Sequence, residues 1–204
     1  MQSRLQPRSS QFRRFAREFL ARPGVVGAVA PSSQGLAKRM LEDLHLDRVQ
    51  SVVEFGPGTG AVTREIITRL GPETRFFAIE RSPDMAQAMR ERFPQVTLYE
   101  DSAGNVESLC RKEGIEPGTV DCIVSGLPFA AFPPALQVEI IDAAVRVLKP
   151  GGRFVTFAYY VAHLKDAGRR FRKLLDEKFG HVSKSRGVLL NVPPAFVYRC
   201  RKSG

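Results

Sequence analysis

An apolar run, Val52-Val53-Glu54-Phe55, opens directly into Gly56-Pro57-Gly58-Thr59-Gly60, three glycines at alternate positions behind an acidic residue. A buried strand that breaks into such a loop uses the tight turn and close backbone approach that glycine permits. The helix expected from Ala61 then points its positive end at whatever occupies the loop. A second apolar run, Phe76-Phe77-Ala78-Ile79, ends in Glu80, twenty residues beyond Gly60. On a second parallel strand that carboxylate can accept hydrogen bonds from both hydroxyls of a ribose. The pair points to a cofactor that contains a nucleoside.

The spacing separates two cofactor classes. A dinucleotide fingerprint reads G-x-G-x-x-G, whereas these glycines fall at 56, 58 and 60, with Glu54 two positions ahead of the first. The segment resembles motif I of the class I S-adenosylmethionine-dependent methyltransferases, E/D-x-G-x-G-x-G. The resemblance implies that Glu54, Gly56, Gly58, Thr59 and Gly60 build the cofactor loop and that Glu80 is the ribose carboxylate. It also implies that Asp101 accepts from the adenine amino group, with the amides of Ser102 and Ala103 against the ring and Arg81 and Met85 beside it. A helix cap at Asp101 or Ser102 would look the same in the sequence.

Strands are expected near 51–55, 75–80, 96–99, 120–124 and 153–158, with helices near 10–21, 33–45, 61–70, 83–92, 103–113, 134–148 and 164–178. That alternation implies parallel strands joined by crossover helices. After residue 180, Val182 to Leu190 and Phe196 to Cys200 read as two strands of a hairpin-like return around Asn191-Val192-Pro193-Pro194. The methyltransferase resemblance implies an α/β, Rossmann-like sheet of seven strands with the last antiparallel. With 204 residues and no internal repeat, the chain suits a single catalytic domain over 23–204 behind an amino-terminal helix over 1–22. Cys110, Cys122 and Cys200 form no C-x-x-C pair and suit small buried groups rather than a metal site, so no metal is expected.

The fourth strand ends in Ser125-Gly126-Leu127-Pro128-Phe129, a variant of the (N/D/S)-P-P-(Y/F) motif of enzymes that methylate an exocyclic or primary nitrogen. Substrate chemistry is expected at this carboxyl edge. The resemblance assigns Ser125 to the edge shared by cofactor and amine and sets the ring of Phe129 over the amine. A trimethylammonium product donates no hydrogen bond but is attracted to aromatic faces. Tyr159, Tyr160 and Phe129 are therefore candidates for the substrate surface, and His163 for a base or a phosphate contact.

The net charge of +10 is concentrated at the two ends: residues 1–22 hold six arginines against Glu18, and residues 149–204 hold 13 basic against 3 acidic side chains. Phe12, Phe15, Ala16, Phe19 and Leu20 fall within an arc of roughly 140° at ~100° per residue, opposite Arg13, Arg14 and Arg17. Such a helix can lie in the headgroup region of an anionic membrane, or dock on its own domain. Arg169, Arg170, Arg172 and Lys173 around Phe171, Leu174 and Leu175 repeat the theme.

Taken with Phe19 to Met40 and Asn191-Val192-Pro193-Pro194-Ala195, these motifs resemble the bacterial phospholipid N-methyltransferases related to ribosomal RNA adenine dimethylases. The resemblance implies methyl transfer from S-adenosylmethionine, leaving S-adenosylhomocysteine. The acceptors are phosphatidylethanolamine and its partly methylated derivatives, and the product is phosphatidylcholine. The expected partner is an anionic phospholipid surface and not nucleic acid. The expected location is the cytoplasm, peripheral on the inner face of the cytoplasmic membrane. An RNA adenine dimethylase and a non-catalytic module that binds the cofactor are the alternatives.

Overall fold

The computed structural model describes residues 34–204. The expected helix over 10–21, with Phe12, Arg13, Arg14, Phe15, Arg17 and Phe19, lies outside them. Seven strands form one sheet: β1 Ser51–Phe55, β2 Arg75–Ile79, β3 Thr97–Tyr99, β4 Val120–Ser125, β5 Leu148–Tyr159, β6 His181–Lys184 and β7 Ala195–Arg201. Their order is β3-β2-β1-β4-β5-β7-β6. The first five strands are parallel to one another, and β7 runs antiparallel to both β5 and β6. This is the seven-stranded sheet with a reversed last strand that the methyltransferase resemblance implies.

The helices are α1 Gln34–Leu41, α2 Ala61–Ile67, α3 Pro83–Arg92, α4 Val106–Lys112, α5 Pro134–Val147, α6 Tyr160–His163 and α7 Asp166–Lys178. Every residue of β1 and β4 is buried, as expected for central parallel strands covered on both faces. Alternate side chains divide between two layers. Val53, Phe55, Ile123, Phe154 and Tyr198 meet α4, α5 and α7, whereas Val52, Cys122, Val124, Val155 and Val197 meet α1 and α2. Removing a ring such as Phe154 from the first layer is expected to cost about 3–5 kcal/mol.

The amino ends of the central strands are tied by Asp121. One of its oxygens, Oδ2, accepts from the amides of Gln50 (2.9 Å) and Ser51 (3.0 Å), and Oδ1 pairs with Lys149. The opposite, carboxyl, edge is therefore the end at which loops are free to build a site.

Several boundaries differ from the sequence reading; the helices expected over 33–45 and 61–70, for example, end at Leu41 and Ile67. Pro150-Gly151-Gly152 does not precede the fifth strand but lies within β5, where the register against β4 shifts between Val120 and Cys122. The helix expected over 103–113 is a 3-10 turn, Ala103–Asn105, followed by α4, because Ser102 Oγ accepts from the Gly104 amide and caps the turn first. The helix expected over 164–178 is α7, starting at Asp166, and a short helix that the sequence reading did not expect, α6, precedes it at Tyr160–His163. Strand β6 stops at Lys184 instead of running to Leu190. There Ser185 Oγ accepts from the Val197 amide at 3.0 Å, taking the place of a ladder carbonyl, and the chain leaves the sheet.

Candidate functional site

Three left-handed glycines shape the loop after β1, with φ of 65° at Gly56, 54° at Gly58 and 78° at Gly60. Two of them are also enforced by packing. A Cβ on Gly56 would come within 2.5 Å of Leu127 Cδ2, and one on Gly60 within 2.2 Å of Phe93 Cε2. A Cβ on Gly58 would meet nothing within 4 Å, so this residue faces open space and is required only for its backbone conformation. The next residue, Thr59, is exposed, and its carbonyl accepts from Arg92 at 2.8 Å.

Beneath the loop, the Glu54 side chain is fully buried. Its Oε2 accepts from Thr63 Oγ1 at 2.7 Å, while Oε1 has no hydrogen-bond partner among the described residues. Burial, assisted by the nearby Glu80 charge, pushes the carboxyl up to about 8 despite the Thr63 bond. An orphaned oxygen in a low-dielectric position is a point at which a ligand donor is strongly favoured.

At the end of β2, Glu80 Oε2 accepts from the Gly58 amide at 3.2 Å and Oε1 from the Ser82 amide at 2.9 Å. Its own amide donates to Tyr99 O (2.9 Å), and the Asp101 amide donates to Glu80 O (3.2 Å), so the ends of β2 and β3 are locked together. Desolvation raises the Glu80 pKa, and the backbone donors oppose it. Asp101 Oδ1 accepts from the Ser102 amide and Asn105 Nδ2, both at 2.7 Å, while Ala103 is buried under the turn that Ser102 caps. Arg81 and Met85 are half-buried at the start of α3. The open face of Gly58, the unpaired Glu54 oxygen and the strand-end carboxylates suit a nucleoside-bearing ligand.

The segment after β4 meets this loop directly. Its fully buried first residue, Ser125, accepts through Oγ from the Leu127 amide at 3.3 Å. The Gly126 amide donates to Phe55 O at 2.7 Å, and a Cβ there would lie 2.5 Å from Gly56 O, so only glycine lets the two loops touch. A 3-10 turn over Phe129–Ala131 follows. Gln137 on α5 donates through Nε2 to Phe129 O (2.7 Å) and Phe132 O (3.1 Å) and fixes that turn. Sequence reasoning missed Gln137, whose signal was a polar residue on the otherwise apolar face made by Ile140, Ile141 and Ala144.

Beside this turn lies a cavity of about 330 Å³, apolar for the most part, whose walls include Ala131, Tyr159, Val161, His163, Phe171 and Pro193. Phe129 borders it, but its ring belongs to the core, stacked on Phe171 at 4.5 Å and 1% exposed. Tyr159 is half-buried. Its hydroxyl is enclosed without a partner among the described residues, and burial pushes its pKa up to about 12. Tyr160 is 40% exposed at the start of α6.

His163 is engaged at both ring nitrogens, with Tyr198 Oη 2.8 Å from Nδ1 and Lys184 Nζ 2.7 Å from Nε2. Desolvation and the charges of Lys184 and Arg172 hold its pKa down, so the ring is neutral. A protonated Lys184 donates to Nε2, and the tautomer assigned from these partners carries its hydrogen on Nδ1. Lys184 also lies 5.3 Å from the Phe196 ring and Arg172 5.6 Å from that of Tyr198. Tyr198 and Lys184 were not singled out in the sequence; an ordinary strand pattern hides both.

On α7, Arg169 pairs with Asp166, Arg172 with Asp176 and Lys173 with Glu177, while Arg170 is exposed. Much of that basic face is therefore charge-matched within its own helix. Among the described residues no three His, Cys, Asp or Glu side chains gather as a metal site, and no helix is long and apolar enough to cross a membrane.

Residues 52–152 match the model of a methyltransferase domain. The chain is 32% identical over 190 residues to the ornithine lipid N-methyltransferase of Singulisphaera acidiphila, covering 92% of this chain and 94% of that protein. It is 31% identical over 127 residues to the ribosomal RNA small subunit methyltransferase A of Burkholderia multivorans, covering 61% of this chain but 42% of that one. In fold it is similar to an S-adenosylmethionine-dependent O-methyltransferase of Thermotoga maritima, with a TM-score of 0.63 at 18% identity, over 86% of this chain and 66% of that one.

Proposed function

Since this chain belongs to the class I S-adenosylmethionine-dependent methyltransferases, we propose that it methylates the amine of a membrane lipid, phosphatidylethanolamine and its mono- and dimethyl derivatives, at the bilayer surface. The observation that carries this reading is the apolar cavity at the carboxyl ends of β4 and β5, lined by Pro128 and Phe129 of the segment whose Gly126 touches Gly56 of the cofactor loop. Similarity to a lipid N-methyltransferase along nearly the whole chain supports it. The amino-terminal helix over 1–22, ahead of a catalytic domain over 23–204, belongs to the same proposal, as does a peripheral place on the inner face of the cytoplasmic membrane.

S-adenosylmethionine supplies an electrophilic sulfonium methyl when bound. Glu80 is assigned to its ribose, the amides after Asp101 to its adenine, and the Gly56–Gly60 backbone with Glu54 to the remainder. The Ser125–Phe129 turn, fixed by Gln137, holds the amine in line with the methyl, and its carbonyls accept from the amine while leaving the lone pair free. The cavity walls exclude water. Tyr159 on the cavity wall faces the growing alkylammonium charge, while Tyr160 lies outside that wall and Arg172 and Lys184 already occupy the rings of Tyr198 and Phe196. With both ring nitrogens of His163 engaged, Lys184, held against its Nε2, and not the imidazole, is assigned to the phosphate of the headgroup.

Labelled S-adenosylmethionine with vesicles of phosphatidylethanolamine, vesicles of ornithine lipid and an RNA transcript in parallel tests the reading. Label in phosphatidylethanolamine alone supports it, and label in RNA alone overturns it. Label in ornithine lipid alone keeps the lipid class and corrects the headgroup. The RNA alternative rests on the 13 basic side chains of residues 149–204 and on the shorter match to the ribosomal RNA enzyme.

A further inference from the structure

We propose that α6 and the β6–β7 connection form a second lipid-docking face, separate from the amino-terminal helix, which seats the cavity mouth on an anionic bilayer. The proposal rests on the lipid-substrate reading above. Seven large apolar side chains are exposed among the described residues, and six of them lie here: Tyr160 (40%), Val161 (60%), Leu164 (71%), Leu189 (74%), Leu190 (94%) and Val192 (73%). Single exposed apolar residues are ordinary, but a cluster of six marks an interaction surface.

The two segments that carry them are joined by specific contacts. The Tyr160 amide donates to Pro194 O at 3.1 Å, Val188 bridges Ala195, and a Cβ on Gly187 would lie 2.6 Å from Tyr160 Oη. Within the loop, buried Asn191 donates through Nδ2 to Pro193 O at 2.7 Å. The leucines on the preceding turn are thus held outward by a fixed backbone.

Charge identifies the occupant. Residues 160–170 and 184–194 carry five basic side chains and one acidic, Asp166, which is itself paired with Arg169. Apolar tips inside a basic rim match an anionic lipid surface, where the tips enter the acyl boundary and the cations meet phosphates. The cavity is walled in part by this same patch, through Val161, Lys165 and Pro193, so a headgroup bound there would stay beside the interface.

The native cysteines are all buried, so a Leu190→Cys variant of the full chain takes an environment-sensitive fluorophore at that site alone. Vesicles of phosphatidylethanolamine and phosphatidylglycerol are expected to shift its emission to the blue and raise it several-fold, and salt to reverse both. Unchanged emission under conditions where the protein sediments with vesicles would overturn the proposal, as would a protein that does not sediment at all. Blue emission before vesicles are added would also overturn it, assigning the face to a second copy if it depends on protein concentration and to residues 1–33 if it does not. In a second arm, Leu189→Asp with Leu190→Asp should lower methylation of vesicles at least tenfold while leaving cofactor affinity and methylation of a dispersed short-chain lipid amine unchanged. Equal rates on both substrates, or equal losses on both, refute it. A wild type that methylates no lipid amine in either form sinks the substrate reading instead, whatever the fluorophore reports.

Discussion

The Glu80 carboxylate reaches across from β2 to the Gly58 amide, 3.2 Å away, and so ties the acidic strand end to the one loop glycine that faces open space. The same side chain organises the loop and, in the proposed function, holds the ribose. Replacing it by Ala should weaken S-adenosylmethionine binding by about 1.5–3 kcal/mol, the range for hydrogen bonds to a charged acceptor. Calorimetry on the folded variant checks this, and unchanged affinity would remove Glu80 from the cofactor site. Because desolvation raises its pKa, wild-type affinity should begin to fall at a higher pH on acidification than an exposed glutamate would allow.

Glu54 makes stability depend on pH in the direction opposite to most carboxylates. With its pKa raised from 4.5 to about 8, the folded state keeps a proton that the unfolded chain releases, so stability is lost as pH rises through that window. Glu54→Gln mimics the protonated form. It should flatten the decline and leave the variant more stable than wild type at pH 9 by at least about 1 kcal/mol, or about 2–4 °C for a domain of this size. Thermal unfolding from pH 6 to 9 measures it; parallel curves for the two proteins would contradict the assignment.

Tyr159 separates stability from activity. Its enclosed hydroxyl lacks a partner among the described residues, so Tyr159→Phe should raise stability by about 1 kcal/mol. The aromatic face is retained, and the second and third methylations should survive. Tyr159→Ala with Tyr160→Ala should slow those later steps at least as much as the first, because their substrates are bulkier cations held by ring faces. Unaltered rates on all three amines in the double Ala variant would exclude a cation–π surface.

Deleting residues 1–22 removes six arginines and three phenylalanines. Each cation near an anionic surface contributes about 1 kcal/mol, so sedimentation with anionic vesicles should fall sharply, and Phe15→Asp should reduce it without unfolding the domain. If the truncated protein sediments as before but binds the cofactor more weakly, the segment covers the active site instead of anchoring the enzyme.

The sequence alone determined the parts that depend on local chemistry. Glycines at 56, 58 and 60 must adopt left-handed turns, Ser82-Pro83 starts a helix, and apolar runs between crossover helices must pair as parallel strands. The family resemblance adds seven strands with the last antiparallel, and the order β3-β2-β1-β4-β5-β7-β6 comes from the structure. Tertiary structure decided what distant segments do to one another. Nothing local to Gly126 reveals that it touches Gly56, nor does the spacing of His163 show it held between Tyr198 and Lys184. Phe129 reads as a surface aromatic until Phe171 stacks on it from a helix some forty residues later. Leu189 and Leu190 read as strand residues because apolar periodicity does not register that Ser185 takes over the ladder bond and leaves only the isolated bridge from Val188 to Ala195 beyond it. Burial and hydrogen-bond competition are sums over neighbours that only the folded chain assembles, and they moved residues between core, cavity wall and exposed face.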